Sequence, residues 1–324
     1  MFDIISIGAA VKDVFLFSEA FQFIHSNTFE GGVGQCVSFG SKLEVDRLVQ
    51  TSGGGATNSA VTFARLGFDT GIVCRLGEDA DGNSLEEELA KEGVDTALIR
   101  RVKKETTGYS VLLTASNGER SILTHRGASG TFHEKDIPTS QCLAKAYYVT
   151  SLAGNLNAFS RIVKLSDRCK APLAWNPGHK ELSQGMKALE PLLPSLSVLI
   201  LNLEEARLLT GDTDARAICK RLSAYDLVCI ITDGERGAYA CVDGTEVFFA
   251  KTRAVEVRSR TGAGDAFGSG VFASLLRGDD IETALAVGMI NAESVIAHIG
   301  AKAGILNAWP KTSEVKKIEI KSVS

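Results

Sequence analysis

Residues 260–270 read RTGAGDAFGSG, and within these eleven positions four glycines, Gly262, Gly264, Gly268 and Gly270, frame a single acid, Asp265. A helix interior avoids such density, because each glycine costs roughly 1 kcal/mol against alanine. Yet the chain continues as VFASLLRG, a helical pattern. The stretch therefore reads as a loop turning into a helix, where the first backbone N–H groups have no intrahelical partner and can hold an anion. A glycine-rich turn capped by Asp265 would leave the same trace, so the two readings are separated by the rest of the chain.

The chain has 324 residues, 44% of them hydrophobic, enough for one large core with a smaller attachment. A formal charge of −4 and a pI near 5.8, without a basic tail, argue against nucleic acid as a partner. The seven cysteines are scattered with no CxxC pair, so neither a zinc site nor a disulfide framework is expected. The start MFDIISIGAA runs directly into a strand-like segment, and no apolar run is long enough to cross a membrane. A soluble, cytoplasmic protein is the expectation.

Moving outward from the opening stretch, short apolar runs alternate with helical patterns. IISIG, AYYVTS, APLAWN, SVLILN and LVCIITDG read as strands that each lead toward a helix. Such repetition predicts a parallel sheet covered by helices on both faces. SGGG at 52–55 enters ATNSAVTFARLG, whose Ala56, Ala60 and Ala64 share a stripe beside Val61. DGNSLEEELAKEG is a helix stopping at Gly93, and Asp243–Gly244 marks a hairpin. AVEVRSR, just ahead of the Asp265 loop, is strand-like. VGQCVSFG, KLEVDRLVQ and TTGYSVLLTASNGERSILTHRG, with its turn at Asn117–Gly118, do not fit the parallel core and are expected to pair as a small second sheet. EVKKIEIKSVS is an edge strand or a loose tail.

In open parallel sheets ligands bind beyond the C-terminal strand ends. Asp13, Asn176, Asn202, Glu204, Glu205, Thr232, Asp233 and Gly234 all fall at such ends. Each also has a structural reading; Asn202, for one, is placed to cap the helix EEARLL. Asp265 behind an anion-binding turn is odd for an anion binder, since its charge repels phosphate. It makes sense as a base beside an attacking hydroxyl, the combination that phosphoryl transfer needs. Glu205 is suited to the water shell of magnesium. There is no GxxxxGK[ST], no GxGxxG after a first strand, no HExxH, no GxSxG and no HRDLxxxxN. The five histidines form no metal cluster in the sequence.

Two motifs in this order resemble those of the ribokinase-like sugar and nucleoside kinases, the PfkB family. SGGGATNSAVTFARLG (52–67) is similar to its N-terminal signature and RTGAGDAFGSGVFASLL (260–276) to its C-terminal one. NLEE (202–205) and ITDGERGA (231–238) match further family elements. The implied fold is α/β, a three-layer sandwich with a mostly parallel central sheet and a small β lid. The kinase domain would span 1–310, the lid about 18–50 and part of 107–125, and 311–324 would be an edge or tail. The implied activity is transfer of the γ-phosphoryl of ATP to a hydroxyl of a small sugar. A nucleoside kinase is the alternative, and a binding protein that lost turnover a third.

The resemblance implies roles position by position. Asp265 would be the catalytic base, and the N–H groups of Gly262, Ala263 and Gly264 the anion hole. Asp13, Gly53, Gly54 and Asn58 would bind the acceptor. Asn202 and Glu205 would organise magnesium and phosphate oxygens. Thr232, Gly234 and Gly237 would lie along the nucleotide, with Asn291 near the adenine. Arg126 would reach substrate or hold the lid hinge. Lids of this kind often form a dimer contact, so a homodimer is expected. Two positions depart from the pattern. Many relatives bind a monovalent cation through an aspartate where this chain has Ser259, so weak potassium dependence is expected. Gly55 stands where ribokinases proper carry a lysine, which weakens a specific assignment to ribose.

Overall fold

The computed structural model describes residues 1–29, 32–114 and 120–323. Its centre is a nine-stranded sheet. Six strands run parallel in the order Thr70–Val73, Ile4–Ile7, Tyr147–Val149, Leu173–Trp175, Val198–Asn202 and Val228–Thr232. Three antiparallel strands, Gly237–Cys241, Val247–Lys251 and Ile320–Ser322, extend it on one side. The C-terminal run therefore supplies an edge strand. Successive side chains point to opposite faces, so both faces must be apolar. Ile5, Ile7, Tyr147, Trp175 and Leu199 pack on one face, and Ile4, Tyr148, Ala174, Val198 and Ile200 on the other.

Seven helices of eight residues or more matter here: α1 Gly55–Arg65, α2 Ala80–Lys91, α3 Leu156–Cys169, α4 Leu203–Thr210, α5 Ala215–Ser223, α6 Ala263–Arg277 and α7 Ile281–Ile296. The first face is covered by α3, α4 and α5 through Phe159, Ile162, Ala206 and Ile218. The second is covered by α1, α6 and α7 through Phe63, Phe267, Phe272 and Leu285. The result is a three-layer α/β sandwich. The alanine stripe of α1 buries Ala56 and Ala60 completely. α2 stops before Gly93, which takes a positive φ of 81°. The hairpin at Asp243–Gly244 forms, with Asp243 accepting from the Thr245 N–H at 3.0 Å.

A four-stranded sheet stands apart, in the order Arg120–His125, Gly108–Thr114, Val11–Phe17 and Arg47–Gly53. Two expectations change here. Val11–Phe17, outside the expected 18–50 and 107–125 segments, lies inside this sheet, between the strands at 47–53 and 108–114. Much of 18–46 is irregular, apart from a hairpin of Gln22–His25 with Val33–Cys36. The turn at Asn117–Gly118 lies outside the described residues.

AVEVRSR forms no strand. The edge next to Val247–Lys251 is already taken by Ile320–Ser322, so the run has no backbone to pair with. Its Val255 and Val257 line a cavity instead. No helix among the described residues is long and apolar enough to cross a membrane.

Candidate active site

The four glycines of the opening stretch divide into two kinds. Gly262 caps α6 with a φ of 82°, and a Cβ there would fall 2.4 Å from the Cβ of Ala301. Gly264, one residue into the first turn, faces open space. Gly268 and Gly270 serve packing: a Cβ on the first would meet the Tyr148 hydroxyl at 2.6 Å, and on the second the Cα of Gly288 at 3.1 Å. The first pair thus shapes the turn, and the second lets α6 settle on the sheet and on α7.

Among the described helices introduced above, α2, α3, α4, α5 and α7 are capped by the side chains of Asp79, Asn155, Asn202, Asp214 and Asp280. The other two, α1 and α6, begin at Gly54 and Gly262 and have no side-chain cap. In α1 the Ala56 N–H is taken by the Ala9 carbonyl at 3.2 Å, whereas among the described residues the first N–H groups of α6 have no acceptor, with the positive end of the helix dipole behind them. Both helix starts belong to the motifs singled out in the sequence.

Asp265 is the third residue of α6 and half-buried. Its Oδ2 accepts a hydrogen bond of 2.7 Å from Asn58 Nδ2 on α1. Burial pushes its carboxyl above the ordinary range, opposed by that hydrogen bond and by the Lys302 ammonium. The two sequence motifs, far apart in the chain, meet at this contact.

The residues expected to bind an acceptor lie on the strand Val11–Phe17 and at the start of α1. Asp13 is buried, paired across the small sheet with Thr51 and Ser110. Burial pushes it up to about 6, against Lys302 and Ser110, and with the charge of Asp265 adding to the rise. Position 54 requires glycine on two counts: its φ is 96°, and a Cβ would sit 2.5 Å from the Ala9 carbonyl oxygen. Arg126 is exposed; its carbonyl accepts from the Ser129 N–H, and the Ser129 hydroxyl donates to the Ala10 carbonyl. Its segment therefore joins the end of the strand Arg120–His125 to the chain just ahead of Asp13.

Sequence reasoning missed Lys302. It is only 3% exposed, and its ammonium donates to the Ser52 carbonyl, Thr57 Oγ1 and Asn58 Oδ1, each at 2.8 Å. Burial lowers it to about 8, against Glu88, Asp13, Asp265 and Glu92, which favour its charge. The only trace in the sequence was one lysine inside the weakly polar run HIGAKAGI, with nothing local to mark it as buried.

On the other side of the α6 start lies a cavity of about 510 Å³. Thr232, Gly234 and Gly237 line it, as do Ala263 and Gly264. Val255, Val257, Phe267, Met289 and Ile296 give it an apolar wall, a size and chemistry suited to an aromatic ring. Arg253 and Glu293 also line it; the Glu293 carboxylate accepts from the Arg253 backbone N–H at 2.8 Å and from Nε at 2.7 Å. No local spacing marks this pair, whose members stand 40 positions apart.

Asn291 is placed differently from the expectation. It is fully buried, donates to the Ala266 carbonyl at 2.8 Å and accepts from the Leu306 N–H at 3.0 Å. Its amide ties α7 to α6, while its neighbours Met289, Ala292 and Glu293 reach the cavity. The helical period explains this, since 289, 292 and 293 share a face that 291 does not.

Asn202 and Glu205 lie outside the cavity lining and form a reciprocal capping box on α4. The Asn202 N–H donates to Glu205 Oε2 and the Glu205 N–H to Asn202 Oδ1, both at 2.8 Å. Burial raises the Glu205 carboxyl, against the Asn202 N–H, and the charge of Asp265 adds to the rise. Among the described residues no three His, Cys, Asp or Glu side chains gather as a direct metal cage.

A family model described as the pfkB family of carbohydrate kinases matches residues 1–308. An uncharacterized sugar kinase of Archaeoglobus fulgidus is 26% identical over 250 residues, 75% of this chain and 97% of that protein. A ribokinase of Haemophilus influenzae is 26% identical over 266 residues, 78% of this chain and 83% of that protein. The solved nucleoside kinase of Methanocaldococcus jannaschii superposes with a TM-score of 0.76 at 19% identity, over 97% of this chain and 98% of the other, a likeness of fold.

Proposed function

The chain belongs to the pfkB family of carbohydrate kinases, and from that premise we propose that it transfers the γ-phosphoryl of ATP to a hydroxyl of a small sugar with Asp265 as general base. Phosphotransfer from ATP to a small sugar or nucleoside is the coarse activity; the sugar and the base are our reading. One observation carries it. Asp265 follows directly on Ala263 and Gly264, which border the nucleotide-sized cavity, while its carboxylate turns to Asn58 on the acceptor side.

In this reading the γ-phosphoryl rests at the uncapped start of α6, held by backbone N–H groups that need no rearrangement as charge develops. The acceptor lies against Asp13 and the start of α1. Asp265 takes the hydroxyl proton, the hydroxyl oxygen bonds to the γ-phosphorus, and the bond to the β-phosphate oxygen breaks to release ADP. A carboxyl raised above its ordinary range is a better base when ionised. Magnesium carried with ATP would neutralise phosphate charge when bound. Glu205 fits a place in its water shell: Oε2 accepts the Asn202 N–H, while among the described residues no donor meets Oε1.

The test is an ADP-release assay over a panel of free sugars and nucleosides, with wild type and Asp265→Asn. A sugar should give the highest kcat/KM, and Asp265→Asn should lose about 10²–10⁴-fold in kcat while still binding ATP. Preference for a nucleoside would overturn the acceptor assignment. Near wild-type turnover in folded Asp265→Asn would remove the base.

A further inference from the structure

We propose that Lys302 is a positioning residue for the transfer: it fixes the orientation of the Asn58 side-chain amide, and through it the Asp265 carboxylate. The inference rests on the reading of Asp265 as the base.

An asparagine amide has nearly the same shape after a half-turn, but its chemistry reverses. One end only accepts and the other only donates. Asn58 sits between two charged groups of opposite kind. Lys302 has donors and no acceptor, while an ionised Asp265 has acceptors and no donor. With Oδ1 on Lys302 at 2.8 Å and Nδ2 on Asp265 at 2.7 Å, both ends are satisfied. A half-turn would put Nδ2 against the ammonium and Oδ1 against the carboxylate, opposing both contacts at once. Lys302 thereby selects one amide orientation, and that orientation holds Asp265 Oδ2, leaving its other oxygen for the acceptor hydroxyl.

The ammonium is itself held in place. Its three protons are met by three oxygens, the Ser52 carbonyl, Thr57 Oγ1 and Asn58 Oδ1. Thr57 passes its own proton to the Gly53 carbonyl at 2.8 Å, leaving its lone pairs for Lys302. Arg65 at the other end of α1 donates to the Lys302 carbonyl at 3.1 Å and the Ile305 carbonyl at 2.9 Å, fixing the loop that carries the lysine.

Consecutive residues of that loop reach the small sheet, the start of α6 and the start of α1. A Cβ on Gly300 would lie 3.0 Å from Thr51 Cγ2, beside Asp13 in the small sheet. Ala301 packs under Gly262 at the start of α6. Lys302 reaches the start of α1.

The experiment compares wild type, Lys302→Met, Asn58→Ala and the double variant. Lys302→Met should lose about 10²-fold in kcat, the scale of a small misplacement of a catalytic group, with ATP KM changed less than about two-fold. In the Asn58→Ala background the same substitution should cost little more, because the path through the amide is already cut. A folded Lys302→Met within about three-fold of wild-type kcat, or losses that multiply in the double variant, would overturn the proposal.

A second readout needs no turnover. In the wild type, ¹⁵N NMR of lysine- and asparagine-labelled protein should show a slowly exchanging Lys302 ammonium in contact with the Asn58 amide. An Asn58 amide whose signals are insensitive to Lys302→Met, or, if that variant does not fold, the absence of the protected ammonium in the wild type, would equally overturn it. Absence of turnover in the wild type on every acceptor would instead remove the kinase reading and leave this contact to be judged by NMR.

Discussion

The backbone of Gly53 passes so close to Asp13 that a Cβ on Gly53 would fall 1.9 Å from Asp13 Oδ2. The glycine is therefore the space into which the carboxylate fits. Gly53→Ala should push Asp13 aside and weaken its contact with the acceptor. Acceptor KM should rise about ten-fold or more, the scale of one lost hydrogen bond to a charged group, while ATP KM stays near wild type. Paired Michaelis curves for the two substrates check this.

A pH profile should show two limbs set by the buried charges. Asp13 is held at about 6, above its ordinary 3.8, so acceptor kcat/KM should fall as pH drops through about 6 and Asp13 takes up a proton. Lys302 is lowered to about 8, so kcat should fall as pH rises through about 8, and that limb should vanish in Lys302→Met. The stability effect of Asp13 has the opposite sense to its activity effect. Between about 3.8 and about 6 the folded chain binds more protons than the unfolded one, so stability from this group declines as pH rises across that window. Thermal melts of wild type and Asp13→Asn over the same range measure it.

Glu205→Gln separates the charge of Glu205 from its capping role. Glutamine can still accept the Asn202 N–H in a capping box, so the melting temperature should barely move. Loss of the carboxylate should raise the magnesium needed for half-maximal rate by roughly ten-fold. An unchanged magnesium titration would take Glu205 out of the metal's water shell.

Ser259 predicts a weak response to monovalent cations. It is buried, its N–H donates to the Ile296 carbonyl at 3.2 Å, and its hydroxyl accepts from the Thr261 N–H at 3.3 Å. A hydroxyl so engaged offers no negative oxygen to a cation. Rates in sodium, potassium and tetramethylammonium chloride at equal ionic strength should agree within about two-fold. Selective activation by potassium would show that backbone carbonyls suffice.

What the sequence determined by itself was local or periodic. Apolar runs such as IISIG and SVLILN, alternating with helical patterns, specified a parallel sheet with two covered faces, because burial on both sides permits little else. The glycine turns at 53–54 and 262–264 marked loops entering helices, and Asp265 was conspicuous as the acid set inside one of them. What the tertiary structure decided was which distant groups meet. Asn58 and Asp265 are 207 positions apart, and Asn58 and Lys302 are 244. No pattern of spacing links residues so far apart, and a lysine shows itself as buried only once three oxygens from other segments surround it. The same holds for AVEVRSR, strand-like in composition but left without a partner when Ile320–Ser322 took the sheet edge, and for Asn291, whose amide was claimed by Ala266 and Leu306. Local propensity proposes an element or a role; hydrogen-bond partners that only the folded chain brings within reach decide whether it is kept.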